Sequence, residues 1–355
     1  MTEQQLKRTP RLGAASHDAV RNGLGRSASA SRTAVMRMTA LVVAVALLTF
    51  LLENVLVGAL LPNLPRLTSD FSATYLRREM RRLAAAPPRT LFFGDSVLWG
   101  YRIAPSQTAV AVLRAEGCAC ENLSLKSGSP PNYDAMIRIA LGSGVRPREA
   151  VIEINQKAFN AADPGFVKLH PALAQLGVPY FTAAERRELG LEPGTDAYPP
   201  AWTRALDRLS LVYAMRTDIR GALYGDVDAA PPTPITADML EGTYDLSPLS
   251  EANAGIRYLS RAVDALRAHG IPVVAFLTPT NHRLLHDYID VPAYRANGAY
   301  LRRLLERHGA RVLDLDARFA AGEFIDEAHL TPAGQRHLAR LLEPLVLGPW
   351  KRDAR

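Results

Sequence analysis

Cysteine is scarce in this 355-residue chain: Cys118 and Cys120 are the two that occur, one residue apart. No Cys/His set at metal-ligand spacing accompanies them, so no zinc site is expected. Two free thiols on a strand are preferred over a disulfide closing so short a loop. Internal repeats are absent, which excludes solenoids and propellers. A charge excess is also missing from most of the chain. The net charge is +7, but residues 1–38 hold Lys7, Arg8, Arg11, Arg21, Arg26, Arg32 and Arg37 against Glu3 and Asp18. The remainder is near balance, so the basic excess belongs to a tail and no nucleic-acid partner is expected.

What is present begins with one long apolar run. Residues 39–61 read TALVVAVALLTFLLENVLVGALL, interrupted only by Glu53 and Asn54. That is long enough for a bilayer core, which needs ~20 residues. An apolar surface all round, after an Arg-rich flank, favours a transmembrane anchor over a buried core helix. A cleaved signal peptide is the alternative, although the segment before the run is long for one. The flanking charge bias places residues 1–38 as a disordered cytoplasmic tail. The bias is shallow, because Arg66, Arg77, Arg78, Arg81 and Arg82 follow the run.

Residues 62–88 read as a connecting segment with an amphipathic helix over 70–86, ended by Pro87 and Pro88. Beyond it, short apolar runs alternate with helical patterns. Strands are expected at 90–93, within 118–125, and at 150–154, 271–277 and 311–315, and helices at 105–116, 131–142, 249–269, 292–308 and 332–346. The stretch 156–248 breaks this rhythm. It is rich in Pro and Gly, contains one good helix at 202–223, and reads as an insertion bordering a cleft. The pattern predicts an α/β domain over 89–348, with a doubly wound parallel sheet of five strands. Sites in such sheets lie beyond the carboxyl ends of the strands.

Asp326-Glu327-Ala328-His329 spells the box of a helicase family. A nucleotide-driven motor also needs a Gly-rich loop ending in Gly-Lys-Ser/Thr to cradle phosphates. The chain contains no Gly-Lys pair, so that class is excluded. The same letters read differently beside Gly94-Asp95-Ser96, which follows the first strand. A Ser hydroxyl at a strand-to-helix turn is a poor nucleophile without a base in reach. His329 can be that base. Asp326, three residues earlier, can accept the other imidazole N–H and hold the productive tautomer.

LFFGDSVLWG and IDEAHLTPAG resemble the first and last blocks of the SGNH (GDSL-type) serine hydrolase superfamily. The resemblance implies a flavodoxin-like sheet, Ser96 as nucleophile, His329 as base and Asp326 as its orienting acid, with no cofactor or metal. It also implies an oxyanion hole from the Ser96 N–H, the Gly128 N–H after the second strand, and an Asn side chain after the third. There the chain reads EINQKAFN, so Asn155 stands where the family usually has Gly, and Lys157 falls near the usual Asn. Asn155 is taken as the third donor. Membrane-anchored family members that serve cell-surface polysaccharide acylation have the same plan. They imply an ester-bond enzyme, esterase or acyltransferase, whose substrate is an acylated carbohydrate or surface polymer, with a polytopic membrane O-acyltransferase as partner. A non-catalytic subunit of the same fold that binds glycan or such an acyltransferase is the rival reading.

Residues near these blocks have plainer roles open to them. Trp99 and Tyr101 suit either an acyl or sugar pocket or packing beneath the turn. Asn281 is expected to cap its loop and His282 to be a surface residue. Glu327 is expected to point away from the Asp326–His329 pair.

Overall fold

The computed structural model describes residues 15–61, 64, 66–160, 168–191, 200–225, 243–244 and 246–346, with side chains from residue 34 onward. The first 14 residues of the basic tail, and parts of the 156–248 insertion, lie outside the described residues. The chain divides into two compact units, Met1–Leu56 and Val57–Arg355.

The first unit is formed by helix α1 (Ala15–Leu60), whose last residues belong to the second. The helix starts well before residue 39, so 15–38 are helical rather than the disordered tail expected from their polarity. Within it, Ala34–Leu60 is long and apolar enough to cross a membrane. Most of its Leu, Val and Phe side chains are exposed, as are Leu41, Leu48, Phe50 and Leu52, while Val57 near its end is buried. Asn54 donates its amide to the Phe50 carbonyl at 2.8 Å, which satisfies part of a polar group inside the apolar run.

The second unit is an α/β domain. Strands β1 (Thr90–Phe93), β2 (Cys120–Asn122), β3 (Glu149–Ile154), β4 (Val273–Leu277) and β5 (Arg311–Asp314) form one sheet in the order β2-β1-β3-β4-β5. Every pairing is parallel. In chain order the helices are α2 (Ala73–Ala85), α3 (Ser96–Trp99), α4 (Ala109–Ala115), α5 (Pro130–Gly142), α6 (Pro171–Gly177), α7 (Ala183–Glu188), α8 (Ala201–Leu209), α9 (Leu211–Ala214), α10 (Arg216–Tyr224), α11 (Ala254–Ala268), α12 (His282–Ile289), α13 (Pro292–Arg307) and α14 (Pro332–Val346).

Successive strand side chains point to opposite faces, and both faces are covered, so the strands are apolar throughout. Leu91, Phe93, Ile152, Ile154, Ala275 and Leu277 pack with α2, α5, α6, α11 and α13. Phe92, Val151, Val274 and Phe276 pack with α3, α4 and α14.

Three expectations change. The helix expected over 202–223 is three pieces, because Ser210 is extended (φ −132°, ψ 122°) and caps α9 by accepting from the Tyr213 N–H. Helices α3, α6, α7 and α12 have no counterpart among the expected helices; α12 follows Asn281, whose side chain accepts from the Leu284 N–H. Cys118 and Cys120 are paired as a disulfide rather than left as free thiols, their Cα atoms lying 5.3 Å apart where the chain enters β2.

Candidate functional site

The carboxyl ends of the strands bring the singled-out residues together. β1 ends at Phe93, and Gly94 and Asp95 turn the chain directly into α3, whose first residue is Ser96. Asp95 caps this helix by accepting from the Val97 N–H at 2.8 Å. Glu153 on β3 accepts from the Asp95 N–H at 3.0 Å and the Leu98 N–H at 3.2 Å. These bonds leave the Ser96 N–H as the donor at this helix start that neither carboxylate takes up. Gly94 is required here: a Cβ would lie 2.3 Å from Glu153 Oε2.

Asp326 and His329 lie far along the chain, His329 being 233 residues past Ser96, in the loop between β5 and α14. The loop is braced by the Phe324–Leu330 bridge and by Ile325 N–H donating to the His329 carbonyl at 2.7 Å. Asn281 holds it from β4, donating its amide to the Asp326 carbonyl at 3.1 Å and its N–H to the Glu327 carbonyl at 2.9 Å. Asn281 therefore caps its loop, as expected, and also anchors the neighbouring one.

His329 Nε2 sits 2.7 Å from Ser96 Oγ. Its Nδ1 lies 2.7 Å and 2.9 Å from the two oxygens of Asp326. The same carboxylate accepts the backbone N–H of His329 at 2.8 Å and of Ala328 at 3.2 Å. Burial works to raise the Asp326 carboxyl, but the His329 bond and these N–H groups outweigh it and hold it at about 2. A fixed carboxylate on Nδ1 makes Nε2 the nitrogen free to accept the serine proton. Tyr101 covers the imidazole at 4.5 Å between ring centres, tilted by 44°.

Trp99 belongs to the packing beneath the turn. It is buried, donates Nε1–H to the Leu67 carbonyl at 2.8 Å, and carries the Arg66 guanidinium 3.6 Å over its ring. Arg66 also donates to the Trp99 and Gly100 carbonyls at 2.7 Å and 2.6 Å, satisfying acceptors at the end of α3.

Gly128 packs on the serine turn so closely that a Cβ would lie 2.4 Å from the Gly94 carbonyl oxygen and 3.0 Å from Asp95 Cα. Its N–H, however, donates to the Leu125 carbonyl at 3.2 Å. Asn155 follows β3 and is buried. Its amide donates to Asp95 Oδ2 at 2.8 Å and its carbonyl accepts from the Lys157 N–H at 3.2 Å. One amide hydrogen of Asn155 is left for another acceptor. Gly128 and Asn155 thus border Ser96, with their donors partly engaged within the protein.

Lys157 Nζ lies 2.9 Å from Glu327 Oε1, and both side chains are largely buried. Burial opposes the ammonium charge, but Glu327 outweighs it and raises Lys157 above its ordinary value. Glu327 thus bonds Lys157 rather than His329, although its carboxylate does not point away from the Asp326–His329 pair as expected. Asp326, Glu327 and His329 present ligand atoms within 4.8 Å of one another. Asp326 is bonded to His329, and Glu327 Oε1 to Lys157, while Glu327 Oε2 is buried without a hydrogen-bond partner.

His282 is not the surface residue expected. Its Nε2 lies 3.0 Å from Asp316 and its Nδ1 3.0 Å from Asp290, joining α12 to the loop after β5. Tyr294 completes the group, donating its hydroxyl to Asp316 at 2.7 Å.

Glu153 and Arg66 have no role that the sequence alone assigns. A buried Glu in the apolar run AVIEI is the available signal for the first. Arg66 has none, since an Arg after an apolar helix reads as a flanking charge. No protein-family model and no curated protein matches this chain.

Proposed function

We propose that this chain is an SGNH-type serine O-acyl esterase or acyltransferase, anchored in a membrane by α1 and acting on a cell-envelope carbohydrate. The carrying observation is the Ser96–His329–Asp326 relay, with 2.7 Å at each join. The strand order β2-β1-β3-β4-β5 is that of flavodoxin-like sheets and supports the same reading. The shallow charge bias around α1 supports a reading with the N-terminus in the cytoplasm and the α/β domain outside the cytoplasmic membrane.

In this reaction Ser96 Oγ attacks the acyl carbonyl carbon while His329 Nε2 takes its proton. The tetrahedral oxyanion meets the Ser96 N–H and the remaining Asn155 amide hydrogen, with Gly128 at the same rim. Collapse breaks the ester bond, and the departing alcohol receives the proton from His329. Water or a sugar hydroxyl then gives a proton to His329 and attacks the acyl-Ser96 ester, and His329 returns that proton to Ser96 Oγ as the acyl–oxygen bond breaks. Asp326 stays ionised throughout. The route gives the protein no role for a cofactor; the membrane, and a polytopic O-acyltransferase supplying acyl groups, are its proposed partners.

Fluorophosphonate labelling tests the reading. The wild type should label and Ser96→Ala should not. A folded wild type that fails to label would favour a non-catalytic subunit binding glycan or a membrane acyltransferase. The engagement of the Gly128 N–H with Leu125 is the observation on that side.

A further inference from the structure

Helix α8 is amphipathic with its apolar side outward. At 100° per residue, Ala201, Trp202, Ala205, Leu206 and Leu209 share one face, and Thr203 and Asp207 lie behind it. Trp202 is 63% exposed, Leu206 37% and Leu209 79%, whereas Thr203, Arg204 and Asp207 are half-buried. A helix on a water-facing surface has the opposite arrangement. Leu223 and Tyr224 at the end of α10 are also exposed, at 55% and 77%.

The position of this element is fixed from its other end. Helices α8, α9 and α10 follow one another with single-residue joins. α10 is tied to the segment that leaves α1: Asp218 accepts from the Ser72 N–H at 3.1 Å and from the Thr68 hydroxyl at 3.4 Å. Arg220 pairs with Asp70 at 2.9 Å. Gly221 lies so close to Thr68 that a Cβ would come within 2.9 Å of it. Thr68 is eight residues past Leu60, a reach of at most ~28 Å of extended chain. That tether joins the end of α1 to α10, and α8 connects to α10 through α9 and two single-residue joins, so the chain length allows α8 to meet a bilayer crossed by α1. Arg208 bordering its apolar face offers a phosphate-binding head.

We propose that the outward face of α8, led by Trp202, Leu206 and Leu209, rests in the headgroup–acyl boundary of that bilayer. The inference depends on α1 being a membrane span. On this account the insertion holds the domain on the membrane surface at a second point, so that the rim carrying Ser96 keeps one orientation to the lipid.

The test uses the full chain reconstituted in vesicles of zwitterionic and anionic phospholipid with brominated acyl chains. Wild-type tryptophan fluorescence should be quenched, and Trp202→Phe should show roughly twofold less quenching because an interfacial indole is lost. Leu209→Glu, which keeps Trp202, should weaken the quenching too. Equal quenching of wild type and Trp202→Phe would overturn the proposal. Flotation of the vesicles after an alkaline wash separates the two claims. Protein that floats with Trp202 unquenched retains its span and lacks this contact; protein that neither floats nor quenches loses both.

Discussion

The carboxyl group of Glu153, fully buried on β3, accepts the backbone N–H of Asp95 at 3.0 Å and so holds the turn that presents Ser96. With the Leu98 N–H on the same oxygen and the Thr278 hydroxyl on the other, one side chain ties β1, α3 and β4 together. Burial first, and then the Asp95 charge, push the Glu153 carboxyl well above its ordinary value. A raised acid favours the folded state below its unfolded value, and that contribution is lost as pH rises. Glu153→Gln keeps an acceptor and cannot ionise. Its thermal midpoint should therefore gain on the wild type as pH rises above about 5, and it should still label with fluorophosphonate. Glu153→Ala leaves two buried N–H groups unpaired at about 1–3 kcal/mol each. It should label far more slowly at a pH where it remains folded. Equal labelling rates for Gln, Ala and wild type would remove the positioning role.

The relay itself predicts a graded series. Ser96→Ala and His329→Ala should each lower ester hydrolysis by about 10⁶, and Asp326→Asn by about 10⁴, with little change in KM. Turnover of an acetylated aryl ester reads all three.

Asp326 also carries a stability signal. Its folded value of about 2 is below the ordinary one, so its contribution is present above the ordinary carboxylate range and fades as pH falls toward 2. The midpoint of Asp326→Asn should fall less steeply than that of the wild type over this acid window. Parallel curves would contradict the bonding described.

His282 predicts the opposite slope. The Asp316 bond raises it to about 9, against the opposing effect of burial and with Asp290 adding to the rise. Its stabilisation is complete below about 6.5 and lost as pH rises through about 9. His282→Gln should be less stable than the wild type at neutral pH and approach it at alkaline pH. Thermal melts across that range decide the matter.

Gly128 has no room for a side chain, because the obstacle is the Gly94 backbone carbonyl rather than a flexible group. Gly128→Ala should cost about 1–3 kcal/mol, the usual penalty of overpacking, and should slow labelling by shifting the Ser96 turn. An alanine variant as stable and as reactive as the wild type would show that the two backbones can part.

The order of elements was legible because it depends on local pattern. TLFF is a strand at the residues expected, and the helix at 332–346 has the expected bounds, since apolar period and the flanking Pro and Gly determine both. Ser96, Asp326 and His329 were legible because the serine turn and the Asp-x-x-His loop are each short, contiguous motifs. Gly128 and Asn155 were legible as neighbours of the site, but the aim of their hydrogen bonds was not. Donor direction depends on a partner far off in the chain, such as Asp95 for Asn155. The same limit hid the Lys157–Glu327 pair, which joins residues 170 positions apart.

The sequence by itself determined the alternation of the five strands with their main covering helices, where the long apolar helix lies, and which residue types could share a serine–histidine relay. These follow from periodicity and from chemistry carried within a few residues. Only the tertiary structure decided that Ser96 and His329 meet, that Glu153 and Arg66 brace the serine turn from two sides, and that α8 turns its apolar face outward. Each of those depends on how the parallel sheet stacks its strand ends and on which surfaces remain uncovered, and no local stretch of chain encodes it.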